Sequence, residues 1–245
     1  MKERNSGKVA PAAAFLTLFL AVASQTLASV NISPLRVDLS AGHDKDVITI
    51  TNQNSTAKSY QVEVVAWSQT AQQREVYAPT EDVLAVPPLF TLDPGEEQII
   101  RVGMLTGVDP RVEKTYRLFI TELADPNEDL DTETGISMRL QIGVPVFIAP
   151  TALPTANLTF IDLKTIDGQQ FVGFRNNGNT HVKVTELGYS APGSDEVTRT
   201  PTVMYFLAGN TGYLPLEDSE GIRGGTITVV TDSLGEMEYE LPLAP

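Results

Sequence analysis

"GISMRLQIGVPVFIAP", residues 135–150, alternates without interruption: Ile136, Met138, Leu140, Ile142, Val144, Val146 and Ile148 are apolar and stand two apart. A strand has a side-chain period of two. The spacing therefore predicts a β-strand over 136–148 with all seven on one face and Ser137, Arg139, Gln141 and Gly143 on the other. In a sandwich such a face is ordinarily core. A strand this long can also outrun its own sheet partners and present an edge, and exposed apolar edges invite addition of a foreign strand. Both readings stand at the level of the residues.

Strand signals recur on both sides of it. "DVITITN" (46–52), "SYQVEVVAW" (59–67), "EEQIIRVGM" (96–104) and "TYRLFITEL" (115–123) are short and rich in Val, Ile, Thr and aromatics, and "SAGHDKD", "TNQNSTAK" and "LDPGEE" separate them. No amphipathic helix of useful length interrupts the series, which predicts an all-β antiparallel sandwich. "APTALPTA" (149–156) brings two prolines, which cannot donate within a ladder. A domain boundary is expected there, giving domains 29–150 and 151–245. Beyond it "ANLTFIDLKT", "QQFVGFRNNGNTHVKVTELGYS", "GGTITVVTD" and "GEMEYELPLAP" read as strands again, with "NNGN" (176–179) as a hairpin or tight corner on the ground that Asn and Gly tolerate positive φ.

The chain opens with Lys2, Arg4 and Lys8, an apolar run "APAAAFLTLFLAVA", and small residues ending at Ser29. This is the pattern of a secretory signal peptide over 1–28. Its removal takes away three bases and one acid, so the formal charge moves from -14 to about -16. No later stretch is apolar enough to span a bilayer, and an acidic chain lacks the basic surface that nucleic acid requires. There are no cysteines, so each domain must stand on its core without disulfides.

Catalytic patterns are absent. His43 and His181 are the only histidines, both in polar turn sequence, and no G-x-S-x-G turn or phosphate-cradling glycine loop is present. The two histidines read as turn residues, with no catalytic, metal or cofactor role expected. The acidic "DPNEDLDTETG" (125–135) fails the hand-type calcium pattern, because the sixth position is Leu130 and the twelfth Ile136. A solvated connection between strands is expected there.

"NISPLRVDLSAGHDKDVITITNQNSTAKSYQVEVVAWSQ", "YAPTEDVLAVPPLFTLDPGEEQIIRVG", "EKTYRLFITELADP" and "MRLQIGVPVFIAP", in this order, resemble the N-terminal domain of periplasmic pilus-assembly chaperones, and "FRNNGNTHVKV" resembles their second domain. "WSQ" and "APTEDVLAVPP" look most like the archaic branch associated with spore-coat-protein-U-type pilins. The resemblance implies two immunoglobulin-like β-sandwich domains set at an angle with a cleft between them. It implies pilin subunits and an outer-membrane usher as partners, the periplasm as location, and an ATP-independent chaperone that completes each pilin with its own strand. That donor strand maps to Ile136, Met138, Leu140, Ile142 and Val144. In the better-known branch a first-strand arginine and a lysine late in the donor strand bind the pilin's terminal carboxylate. Arg36 stands at the arginine position, but Pro145 replaces the lysine, and Ala149 replaces an arginine of an interdomain ion network. Arg101 and Arg117 are the other anchor candidates. A secreted adhesive or structural two-domain protein is the competing reading.

Overall fold

The computed structural model describes residues 30–70, 74–124, 139–194, 196–216 and 224–241. The expected leader, the acidic segment 125–135, and the donor positions Ile136 and Met138 lie outside the described residues.

Two β-sandwich domains follow one another along the chain, and period-two burial builds both. In the first, β1 (Val30–Ser33), β3 (Lys45–Asn52), β8 (Glu97–Met104) and β6 (Val83–Val86) form one sheet in the order β1-β3-β8-β6. The facing sheet has the order β2-β10-β9-β4-β5, from β2 (Val37–Leu39), β10 (Gln141–Ile148), β9 (Lys114–Glu122), β4 (Lys58–Gln69) and β5 (Glu75–Pro79). In it β7 (Leu89–Leu92) pairs with the start of β4. Ile48 and Ile50, Ile100 and Val102, Leu118 and Ile120, and Val146 and Ile148 point inward from their strands into one core. At about 1.5–3 kcal/mol for each fully buried aliphatic side chain, this face outweighs any local propensity.

The chain enters the first domain by way of both sheets. β1 pairs antiparallel with β3, whereas β2, four residues on, pairs parallel with β10 in the opposite sheet. The first strand thus switches sheets, and Arg36 sits immediately before the second half.

In the second domain β11 (Leu158–Ile166), β12 (Gln169–Asn176) and β15 (Thr211–Leu216) form one sheet in that order. β14 (Thr198–Phe206), β13 (Val182–Ser190), β16 (Gly225–Thr231) and β17 (Gly235–Leu241) form the other. Its core gathers around Phe174, Phe206, Val184, Leu214 and Val229.

The same corner recurs in both domains. Asn52 is fully buried, donates from Nδ2 to the carbonyls of Thr56 and Leu92 (both 2.9 Å), and accepts from the Asn54 N–H at Oδ1 (2.9 Å). Asn176 repeats this with the carbonyls of Thr180 (2.7 Å) and Phe206 (2.8 Å) and the Gly178 N–H (2.9 Å). "NNGN" is therefore a corner between sheets, and its glycine is needed for a reason other than the expected one. Gly178 does not have positive φ. A Cβ there would fall 2.1 Å from the Thr155 carbonyl oxygen, so the linker backbone occupies the space a side chain would take.

Trp67, Phe147 and Leu207 are buried where the domains meet, with Tyr205 packed against them. Gln69 stitches the joint, donating to the Tyr205 carbonyl (2.7 Å) and accepting from the Leu207 N–H (3.2 Å). His181, expected to be a turn residue, is part of this joint. Its ring lies flat on Phe147 (centroids 3.6 Å apart, planes 10° apart), and Glu113 Oε2 takes both its backbone N–H (2.9 Å) and its Nδ1 (2.8 Å). The pair is nearly buried, with the side chains 11% and 5% exposed.

Candidate functional site

β10 has one edge only half covered. It pairs with β9 along its whole length, from Gln141↔Thr121 to Ile148↔Lys114, but β2 reaches only Val146, Phe147 and Ile148 on the other side. From Gln141 to Pro145 that edge has no strand partner among the described residues. Burial follows the same gradient. Val144, Val146 and Ile148 are fully covered by the domain's own core, while Ile142 and Leu140 are only partly buried against it. Val144, expected among the donated side chains, is thus a core residue of its own domain. The partly open apolar positions of the stretch are Leu140 and Ile142.

On the opposite face of β10 stand Gly143, Pro145 and Phe147, and this face turns toward the joint. Pro145 is paired in register with Arg117 on β9. The Arg117 guanidinium lies 3.9 Å over the Trp67 ring and reaches Glu75 at 3.2 Å, with its side chain 11% exposed. The lack of a side chain at Gly143 makes this possible, since a Cβ would sit 3.0 Å from Arg117 Cδ and 3.1 Å from a Phe119 ring carbon. Arg117 therefore holds a cation beside Pro145.

Arg36 lines a cleft pocket of ≈ 400 Å³ with Pro34, Leu35, Asp38, Lys183 and Tyr205, the last two from the second domain. Its Nε bonds Asp38 (2.8 Å) and its Nη1 bonds Asp232 of the second domain (3.0 Å). Burial works against the Arg36 charge, and the two carboxylates more than offset it, so its pKa stands above the ordinary guanidinium value. Burial likewise pushes the Tyr205 hydroxyl up, with Asp232 and Asp38 adding to the shift and Arg117 and Arg36 acting against it.

Arg101 is elsewhere. It lies on β8, exposed on the outer face of the first sheet and in register with Val47 and Val86. The structure thus brings Arg36 and Arg117 around one tyrosine at the cleft and leaves Arg101 on another surface. Lys183 and Tyr205 carry no sequence signal for this role, because only the docking of the second domain brings them to the first. Among the described residues no three His, Asp or Glu side chains gather as a metal site.

Residues 29–154, just over half of the chain, match the family described as pili and flagellar-assembly chaperone, PapD N-terminal domain. No curated protein matches the sequence. Among solved structures, the fold is similar to a chain of the CsuC–CsuE chaperone–tip adhesion subunit pre-assembly complex from the archaic chaperone-usher Csu pili of Acinetobacter baumannii. The TM-score is 0.65 at 18% identity, covering 89% of this chain and 100% of that one. It is similar also to a chain of the Salmonella enterica SafA pilin–SafB chaperone complex (TM-score 0.62, 19% identity, 89% and 99% covered). A third match is the Pseudomonas aeruginosa CupB2 chaperone (0.54, 14%, 87% and 100%). With the family matched across the whole domain that carries β10 and the cleft arginines, this chain belongs to the pili and flagellar-assembly chaperones and is a pilus-assembly chaperone of two β-sandwich domains.

Proposed function

We propose that the chain captures pilin subunits in the periplasm by lending them β10, and hands them to an outer-membrane usher. The observation that carries this reading is the half-paired strand: an edge from Gln141 to Pro145 with no strand partner among the described residues, beside apolar side chains that the domain's own core only partly covers. An incomplete pilin sandwich laid along that edge gains backbone hydrogen bonds from it and apolar contacts from its face. Four anchors, Ile136, Met138, Leu140 and Ile142, contribute about 6–12 kcal/mol before ordering costs, which suffices for capture without ATP. The solved chaperone–subunit complexes of similar fold support the choice of partner. A leader over 1–28 takes the chain to the periplasm, domain 29–150 holds the subunit, and domain 151–245 closes the cleft. The subunit's terminal carboxylate is held at the cleft, where Arg36 and Arg117 stand; Arg101 is the candidate the geometry supports least. Co-expression with the pilin of the same gene cluster tests this. A soluble one-to-one complex is expected, and a pilin that aggregates equally with and without the chain would overturn it.

A further inference from the structure

Leu140 stays half covered while Val144 is closed over, and the difference arises across the sheet. β4, β9 and β10 lie side by side, so their inward residues fall in rows. Val144 is in register with Leu118, and Leu118 with Val64; Ile142 is in register with Ile120, and Ile120 with Val62. Both rows are wholly apolar. In the next row, at the end of β9 away from the joint, Glu122 stands where the pattern calls for an aliphatic residue. It is in register with Tyr60 on β4, and its N–H donates to the Leu140 carbonyl (2.8 Å).

Period two puts Glu122 on the same face as Leu118 and Ile120. Its side chain is 11% exposed, and Lys58 Nζ, on a side chain 26% exposed, holds the carboxylate at 2.8 Å. Beside it the Tyr60 ring is buried, and among the described residues its hydroxyl has no hydrogen-bond partner. Burial first and the Glu122 carboxylate second push that hydroxyl's ionisation up, so the charge acts on the ring from close by.

Neither feature favours the free domain. An ion pair this far from water recovers in attraction little more than desolvation takes, and well-packed apolar residues of similar volume commonly serve as well or better. A buried hydroxyl without a partner is destabilising outright. The pair does impose a boundary. Lys58 must keep its ammonium near water and Glu122 must keep Lys58, so the core cannot close over this row, and Leu140 at its end cannot be drawn in.

We infer that Lys58 and Glu122 are a positioning pair for subunit capture: they end the domain's own apolar core at the row of Ile142 and so leave Leu140 to the subunit. This rests on the proposed capture along β10.

The chain has no cysteine, so Leu140→Cys supplies a single thiol whose labelling rate, read for the fully ionised form, reports how well that position is covered. It is made alone and together with Lys58→Met and Glu122→Leu, which replace both charges by apolar side chains of similar size. The apolar pair is expected to melt at or above the temperature of its parent and to slow labelling about fivefold or more. With Leu140 restored, the same two replacements should weaken retention of the co-expressed pilin about tenfold, the loss of one aliphatic contact. A doubly replaced chain that does not fold, or melts well below its parent, shows that the pair holds the domain together and overturns the inference. Labelling at an unchanged rate overturns it too, as does full retention of the pilin beside slowed labelling. In all three outcomes the wild-type chain still retains the pilin and strand capture stands. A wild-type chain that retains no pilin overturns the capture reading and the role of the pair with it.

Discussion

The Tyr116 hydroxyl donates to Asp82 Oδ2 at 2.6 Å from a ring that is 2% exposed. Burial first, and the adjacent carboxylate second, hold its ionisation above the ordinary tyrosine value of 10.0. Burial acts in the same direction on Tyr60, Tyr77, Tyr205 and Tyr239. The sign follows from linkage. Below about pH 10 these phenols are protonated in both states and contribute no pH dependence; above it the unfolded chain releases protons that the folded one keeps, so stability falls as pH rises. Urea midpoints are expected to drop as pH rises above about 10, with Tyr116→Phe reducing the drop. A midpoint that stays flat there would mean the hydroxyls reach water. Residues of this kind are only half legible in a sequence. His181 reads as a turn residue because its neighbours are Asn, Gly and Thr, and its partner Glu113 lies 68 positions away.

At the scale of the element, β10 differs from three edge strands of the sheets, β17, β14 and β5. β17 carries Glu236, Glu238 and Glu240 along its length, β14 contains Pro201, and β5 ends in Pro79. Charges and prolines are the usual guards against edge-to-edge pairing. The open part of β10 offers Gln141 and Gly143 before Pro145 closes it. Because burial rises along the strand, one substitution should have two outcomes. Val144→Asp places a carboxylate in the closed core at a cost of several kcal/mol and should prevent folding of the first domain. Leu140→Asp should leave the circular dichroism melt within a few degrees of wild type and abolish pilin capture. Equal loss of fold in both variants would assign Leu140 to the core. Alternation in the sequence identifies the face of every residue here. The point at which β2 stops covering β10 has no local signal, and neither do β5, β6 and β7, whose short runs with Pro79, Pro87 and Pro88 show no clean alternation.

The whole molecule depends on the joint. Phe147 is 1% exposed, stacks on His181, and packs with Trp67 and Tyr205. Gln69, the Glu113–His181 pair and the Arg36–Asp232 bridge fasten the rim around it. Truncating a buried Phe costs about 3–5 kcal/mol. Phe147→Ala should therefore split a single calorimetric transition into two, one per domain, and one unchanged transition would show that the joint does not couple them. The sequence by itself determined the all-β class, the inward faces of the long strands, the corner at "NNGN" and the family. These follow from period-two burial and from turn chemistry, which act between near neighbours. Tertiary structure alone decided which half of β10 stays open, that Val144 belongs to the chaperone's own core, and which cleft cations are already paired. Those outcomes depend on contacts such as Arg36 with Asp232, 196 positions apart. A residue's spacing from its neighbours carries no information about a partner that only the docking of two sandwiches brings within reach.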